Sequence, residues 1–286
     1  MTRALPAALA LLLSACAGPE LLNTVARNPD RGTTVVRDVA YGDGERQVMD
    51  LYVPDRAGPH PVLMFVHGGS WRDGDKDAYA FAGKRFAAEG FLTAVPSYTV
   101  LPEGTYEVVM ADMAAALRTL IEASPAQGGD PERVFLTGHS AGGYNVVQLA
   151  LAPEFLEAEG LTPSIIGAVS GLSGPYDFLP LDPGVELDVF GSADTPEETQ
   201  PVLRVTADAP PMILITGADD ETVQPRNATA LAAALTEAGV RAETRIYEGV
   251  DHAGVVVAVA FPKRNPTVAD TVAFFASEGA FDASSQ

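Results

Sequence analysis

The stretch Gly138-His139-Ser140-Ala141-Gly142-Gly143 constrains the fold of this chain more than any other. A compact apolar run, residues 134–137, precedes it, and a helix-compatible segment, residues 144–151, follows it. This order predicts a strand, a sharp turn and a helix, with Ser140 at the apex of the turn. The flanking glycines suit such a turn, because the apex residue is strained and its neighbours must be small. The helix would direct its N–H groups and positive dipole end at any oxyanion formed beside Ser140.

Strand and helix patterns alternate along most of the chain. Apolar and alternating runs predict strands at residues 33–38, 47–53, 61–66, 91–95, 134–137, 165–170, 212–216 and 242–247. Helical patterns occupy residues 79–89, 106–122, 144–151, 227–238 and 267–277. The first two strands are predicted to be antiparallel edge strands. The alternation as a whole predicts an α/β fold, with a mostly parallel central sheet and helices on both faces.

Residues 179–210 differ in character from the rest, with several Pro, Asp and Glu and little periodicity. We interpret them as a small lid inserted over the carboxyl edge of the sheet. A chain of 286 residues that is 47% hydrophobic can bury one large core, and no internal repeat is evident. Residues 33–286 are therefore predicted to form a single domain.

The first residues carry a targeting signal rather than part of the fold. A basic residue, Arg3, precedes an apolar run, residues 4–13, that is too short to span a bilayer as a mature helix. The following Leu13-Ser14-Ala15-Cys16 resembles a bacterial lipoprotein signal. It predicts a signal peptide at residues 1–15, lipidation of Cys16 and a tether at residues 16–32. The protein would then be anchored in the bacterial cell envelope, on its periplasmic or extracellular face. The alternative is an ordinary secretory signal with a coincidental cysteine.

Composition narrows the possible partners. With 18 Lys and Arg against 38 Asp and Glu, the formal net charge is −20, which argues against nucleic-acid binding. Such mutual repulsion favours a monomer or weak dimer. Cys16 is the only cysteine, so no intramolecular disulfide is expected. No phosphate-binding glycine loop, zinc-ligand spacing or dinucleotide fingerprint occurs, and we expect neither a cofactor nor a metal.

A serine hydroxyl needs an adjacent base to act as a nucleophile, and the chain offers four histidines. Where Ser140 occupies such an elbow, the acid and then the histidine follow it in the sequence. His60 and His67 lie upstream, and His139 sits beside the nucleophile, where its side chain should leave the turn in another direction. Only His252 lies downstream, just after the last predicted strand. His252 is therefore the predicted base, the alternative being a surface histidine in a loop.

The acid that orients the base should follow the penultimate strand. Three consecutive carboxylates, Asp219, Asp220 and Glu221, occur there. Asp220 fits the pattern Gly-x-x-Asp-x-x-Val and is the predicted acid, with Asp219 as the alternative. Asp251 adjoins His252 but is interpreted as a solvated neighbour.

An oxyanion hole needs backbone N–H donors near the nucleophile. One is predicted to come from Ala141, the residue after Ser140. The other is predicted from Gly68 and Gly69 in the stretch His67-Gly68-Gly69-Ser70-Trp71, where glycine allows close approach of the backbone. His67 is expected to brace this loop, and Trp71 to pack beneath it rather than to bind substrate.

Taken together, these motifs resemble the esterase branch of the α/β-hydrolases. The Trp-bearing oxyanion loop and the approach Gly129-Asp130-Pro131 are similar to prenylcysteine methylesterase-like, feruloyl-esterase-like and arylformamidase-like members. The resemblance runs from about residue 50 to residue 275 and implies the α/β-hydrolase fold. One departure is that relatives often have Asp-Tyr-Arg after the fourth strand, where this chain has Ser97-Tyr98-Thr99.

The resemblance implies a serine carboxylesterase that cleaves a small-molecule ester through an acyl-enzyme intermediate. An alternative within hydrolysis is an arylformamidase-like amidase. A more remote alternative is a non-catalytic envelope binding protein on a hydrolase scaffold.

Overall fold

An eight-stranded sheet runs through the computed structural model, which describes residues 22–23 and 33–281. The strands are β1 Thr33–Ala40, β2 Val48–Pro54, β3 His60–Val66, β4 Leu92–Pro96, β5 Gly129–His139, β6 Ile166–Leu172, β7 Met212–Gly217 and β8 Ala242–Tyr247. All eight predicted strands are present, with boundaries shifted by a few residues. The predicted signal peptide, Cys16 and most of the tether lie outside the described residues.

Nine α-helices occur between residues 33 and 281. They are α1 Ala80–Glu89, α2 Tyr106–Ala123, α3 Ala141–Leu151, α4 Pro153–Ala158, α5 Val185–Phe190, α6 Pro201–Arg204, α7 Arg226–Glu237, α8 His252–Ala260 and α9 Thr267–Ser277. Short 3-10 turns cover Ser124–Gln127, Pro163–Ile165 and Pro196–Thr199. None of the helices between residues 33 and 281 is long and apolar enough to cross a membrane.

The strand order across the sheet is β1-β2-β4-β3-β5-β6-β7-β8. β2 is antiparallel to both β1 and β4, and every pair from β4 to β8 is parallel. The sequence prediction that β2 is an edge strand is therefore wrong, because β2 pairs on both sides and only β1 is at that edge. The chain leaves β3 towards β4 on one side and returns to β5 on the other. Ligands bind outside the carboxyl ends of the strands at such a reversal.

Two apolar clusters, one on each face, hold the sheet. Helices α2, α3 and α7 belong to one cluster, and α1, α8 and α9 to the other. All seven residues of β3 are buried, as expected of a continuous apolar strand that is covered on both faces. The central strands are thereby fixed, and the loops at their carboxyl ends start from a rigid base.

Two regions contain structure that the sequence analysis did not describe. The expected lid, residues 179–210, contains α5 and α6, and Phe190 of α5 is buried in the core. Helix α8 was not predicted at all, since its apolar residues lie on every side and leave no helical period. It is buried between its neighbours rather than half exposed.

Residues 22–23 are the part of the expected tether that the structure describes, and they contact the domain. Leu22 is buried in the apolar cluster that includes α1. The Asn23 side chain donates to the carbonyl oxygens of Asp77 and Ala78 and accepts from the N–H of Phe81. The chain is thus held against the N-terminal end of α1 at this point.

Candidate active site

Ser140 occupies the sharp turn between β5 and α3. Its backbone has φ 57° and ψ −123°, a strained conformation for a residue with a side chain. The N–H of Ser140 donates to the carbonyl oxygen of Leu172 at 2.8 Å. A Cβ at Gly142 would lie 2.1 Å from the carbonyl oxygen of Val66, so only glycine lets α3 begin this close to β3. The packed strands therefore impose the strain on Ser140.

The imidazole of His252 joins Ser140 to Asp220. Its Nε2 lies 3.0 Å from Ser140 Oγ, and its Nδ1 lies 2.8 Å from Asp220 Oδ2. An ionised carboxylate only accepts, so Nδ1 carries the proton and donates to Asp220. The Nε2 lone pair then faces Ser140 Oγ, which donates to it. This is the orientation that a general base requires.

Asp220 is fixed by hydrogen bonds to both carboxylate oxygens. Besides His252 on Oδ2, its Oδ1 accepts from the N–H groups of Thr222 and Val223 at 3.0 and 2.8 Å. Burial would raise the pKa of Asp220, but the hydrogen bonds that it accepts, first from His252, and the positive charge that His252 carries when it is protonated outweigh burial and hold this pKa below its usual range. The carboxylate stays ionised beside the imidazole.

The two alternative acids lie apart from this chain of hydrogen bonds. Asp219 is exposed, and its backbone N–H donates to the carbonyl oxygen of Val250. Asp251 is exposed and caps α8, where its Oδ1 accepts from the N–H of Gly254 at 2.7 Å. The geometry thus favours Asp220 over both.

The predicted oxyanion loop follows β3 and lies against the nucleophile. A Cβ at Gly68 would be 3.0 Å from the Cβ of Ser140. Gly69 has φ 132°, and its carbonyl oxygen accepts from the N–H groups of Arg72 and Asp73. Ala141 is the first residue of α3, so its N–H has no acceptor within the helix. The backbone of both predicted sources therefore lies close to Ser140.

His67 and Trp71 support this loop from below. His67 is fully buried, stacks on Tyr98 at 4.4 Å, and has its pKa lowered to about 4 by burial. Trp71 is buried, its Nε1 donates to Asn145 Oδ1 at 2.9 Å, and its ring meets Phe190 edge-on at 5.0 Å. Both contacts agree with the bracing and packing roles expected from the sequence.

Sequence reasoning missed Arg46, in the turn between β1 and β2. Its guanidinium donates to the carbonyl oxygens of Tyr98 and Gly74. A Cβ at Gly74 would be 2.5 Å from the carbonyl oxygen of Gly68, so Gly74 packs directly on the oxyanion loop. No sequence signal pointed to Arg46, because its partners are backbone oxygens that only the folded chain brings within reach.

His139 lies beside the base as well as beside the nucleophile. Its side chain was expected to leave the turn in another direction from Ser140, and its Nε2 lies 3.0 Å from the carbonyl oxygen of His252. The two imidazole rings are 4.9 Å apart. The sequence did not indicate this contact, because the position of α8, which carries His252, could not be predicted.

No group of three or more His, Cys, Asp or Glu side chains within residues 22–23 and 33–281 could hold a metal ion.

A strand–elbow–helix unit in a mostly parallel sheet, with a buried carboxylate and a histidine following the serine, is the arrangement of the α/β-hydrolases. Within this class, the chain belongs to the BD-FAE family, whose model matches residues 49–235.

Comparisons with individual proteins and with a solved structure agree with this family and fold. The chain is similar to the probable isoprenylcysteine alpha-carbonyl methylesterase ICME of Oryza sativa subsp. japonica, at 31% identity over 77% of this chain and 58% of that protein. It thus spans somewhat more than half the length of that relative. A kynurenine formamidase of Danio rerio is 27% identical over 52% of this chain and 49% of its own length. Esterase B from Lactobacillus Rhamnosis (HN001) has the same fold, with a TM-score of 0.80 at 21% identity over 95% of this chain and 93% of its own.

Proposed function

We propose that this protein is a serine hydrolase that cleaves carboxylic esters through an acyl-enzyme intermediate. The observation that carries the proposal is the continuous set of hydrogen bonds from Ser140 Oγ through His252 to Asp220, with contacts of 3.0 and 2.8 Å. Membership of the BD-FAE family and the likeness to a methylesterase support it.

The proposed reaction begins with attack of Ser140 Oγ on the ester carbonyl carbon, while its proton passes to His252 Nε2. The N–H of Ala141 and an N–H of the Gly68–Gly69 loop receive the oxyanion. His252 then gives the proton to the departing alcohol oxygen, which leaves the acyl group on Ser140. Water enters, His252 accepts its proton, and the same steps in reverse release the acid. Asp220 keeps the imidazole in the required tautomer throughout.

A fluorophosphonate probe tests the nucleophile directly. We expect stoichiometric labelling of wild type at Ser140 and loss of both labelling and p-nitrophenyl ester hydrolysis in Ser140→Ala. Ser164→Ala is the matched control, because Ser164 is exposed on a 3-10 turn. Labelling that survives in Ser140→Ala would contradict the proposal, and absence of labelling in wild type would favour the non-catalytic binding protein.

An amidase is the second candidate, favoured by the likeness of half of the chain to a kynurenine formamidase. An ester and an amide differ in the leaving group, since an amine must be protonated before it departs. The comparison uses matched aryl acetates and N-formyl anilines at equal concentration. Faster turnover of the esters is expected, and a higher kcat/KM on the formyl amides would favour the amidase instead.

We further propose a lipid anchor at Cys16, in the bacterial cell envelope, on the strength of the Leu13-Ser14-Ala15-Cys16 motif. A chain with a net charge of −20 is repelled by an anionic membrane, so anchoring would have to come from acyl chains. The protein should fractionate with membranes and be released by detergent but not by high salt. Cys16→Ser should remove the anchor and leave esterase activity intact; recovery of wild type as a soluble form that lacks Cys16 would contradict lipidation.

A further inference from the structure

The side chain of His139 lies between the two parts of the site that flank Ser140. On one side, its Nε2 is 3.0 Å from the carbonyl oxygen of His252. On the other side, a Cβ at Gly68 would lie 3.3 Å from His139 Nδ1 and 2.8 Å from the His139 carbonyl oxygen. The residue thus contacts the backbone that carries the base and the loop that carries the oxyanion donors.

The hydrogen bond to His252 fixes the tautomer of His139. A carbonyl oxygen only accepts, so Nε2 carries the proton and donates. The other nitrogen, Nδ1, is then unprotonated, and it is buried without a hydrogen-bond partner among the described residues. Burial lowers the pKa of His139 to about 3. The ring is therefore a neutral donor, and it adds no charge beside the base.

The hydrogen bond from His139 contacts the backbone of His252, which the hydrogen bonds of Asp220 and Ser140 do not. Asp220 and Ser140 hold the His252 side chain, whereas His139 holds its backbone, at the first residue of α8. Because His139 immediately precedes Ser140, the bond ties the end of β5 to the start of α8. The bond does not involve the Ser140 hydroxyl, so it does not depend on the contact between that hydroxyl and the imidazole.

We propose that His139 is a positioning residue for this reaction, which holds the backbone of His252 against the nucleophile elbow through its Nε2–H. The inference rests on the proposed function. It assigns His139 no contact with the substrate. Its effect is on the alignment of Ser140 and His252, so its loss should lower kcat and leave KM nearly unchanged.

Three variants separate the hydrogen bond from the bulk of the side chain. His139→Gln carries an N–H near the position of Nε2, His139→Asn carries one near Nδ1 and falls short of His252, and His139→Leu has none. We expect kcat to fall about 10- to 100-fold in the Asn and Leu variants, because misplacement of reacting groups by up to about 1 Å has effects of this size. The Gln variant should stay within about 3-fold of wild type, as a rescue by the retained donor.

The rates are measured with p-nitrophenyl esters and are divided by the concentration of sites that a fluorophosphonate labels, so that only folded enzyme is counted. His60→Gln is the control, since His60 is also buried but lies at the start of β3, at the far end of that strand from the oxyanion loop. It should retain the kcat of wild type.

Equal losses in the Gln, Asn and Leu variants, or wild-type kcat in the Asn or Leu variant, would overturn the positioning role while the esterase function stands. A change confined to KM would overturn it as well. A wild type that neither labels nor hydrolyses esters would overturn the proposed function itself, and that outcome is visible before any variant is made.

Discussion

At the scale of single residues, the strain on Ser140 depends on small neighbours. Gly142 is the strictest of them, since a Cβ there would lie 2.1 Å from the carbonyl oxygen of Val66 and 2.5 Å from that of His67. We predict that Gly142→Ala lowers the free energy of unfolding by about 3 kcal/mol and displaces Ser140, because packed backbone cannot retreat. Chemical unfolding and ester turnover check this. Gly160→Asn, at an open left-handed position, is the control and should be nearly neutral.

The choice of Asp220 over Asp219 is also a question of one residue. Asp220→Asn should lower kcat about 10³-fold or more, because the amide can donate to His252 and favour the wrong tautomer. Asp219→Asn is the matched control, since its side chain is exposed. Losses from Asp220→Asn and Ser140→Ala should not add, as the residues act as a unit. If Asp219→Asn were the inactive variant, the assignment of the acid would be reversed.

At the scale of elements, the oxyanion loop is held by the turn between β1 and β2. Arg46 joins Tyr98 to Gly74 across three segments of chain, and Gly74 packs on Gly68. We predict that Arg46→Gln lowers kcat about 10-fold and the free energy of unfolding by about 2 kcal/mol, because two hydrogen bonds from a charged group are lost. Steady-state kinetics and urea unfolding measure the two effects.

The control for Arg46 is Arg118→Gln. Arg118 also makes two ionic contacts, to Glu122 and Glu159, but it lies on α2. Since exposed pairs contribute little, its loss should leave kcat unchanged and stability nearly so. Equal kinetic losses in both variants would mean that Arg46 has no particular connection with the loop.

The elements also show what the sequence could predict. Buried parallel strands such as β3 and β7 are visible as apolar runs between turns, and the elbow has its own motif. Helix α8 was not predicted, because residues Val255 to Ala260 are all buried and leave no polar face that would give a helical period. The order of Ser140, Asp220 and His252 could be predicted from the elbow motif and the α/β-hydrolase pattern, with Asp219 left as an alternative to Asp220. The contacts of Arg46 and His139 could not, because they depend on which backbone oxygens face these side chains after folding.

At the scale of the whole molecule, buried neutral histidines connect stability to pH. Burial lowers the pKa of His67 to about 4 and that of His139 to about 3. The unfolded chain takes up these protons near pH 6.5, whereas the folded protein does so only near pH 3–4. The free energy of unfolding contributed by these groups is therefore complete above pH 6.5 and is lost as pH falls below it. The net charge of −20 has the opposite effect, because protonation of carboxylates at lower pH reduces the repulsion within the folded protein and raises the free energy of unfolding.

A variant isolates this effect from the net charge. Between pH 7 and pH 5, His139→Gln should lose about 2 kcal/mol less of its free energy of unfolding than wild type, since one buried imidazole no longer has to stay unprotonated. Urea unfolding at the two pH values measures the difference. Parallel losses in the two proteins would show that His139 takes up its proton equally in the folded and unfolded states.

If Cys16 carries the proposed lipid anchor, the contacts of Leu22 and Asn23 limit the distance between the membrane and the folded domain. Six residue steps separate Cys16 from Leu22, and at about 3.5 Å per step they reach at most about 21 Å. With Cys16 acylated, the folded domain would stay within that distance of the lipid and would meet only esters near the membrane surface. Without the contacts of Leu22 and Asn23, the segment between the anchor and the domain would extend to Thr33, which is seventeen residue steps or about 60 Å at full extension. The contacts of these two side chains would then determine how far from the membrane the active site can reach a substrate.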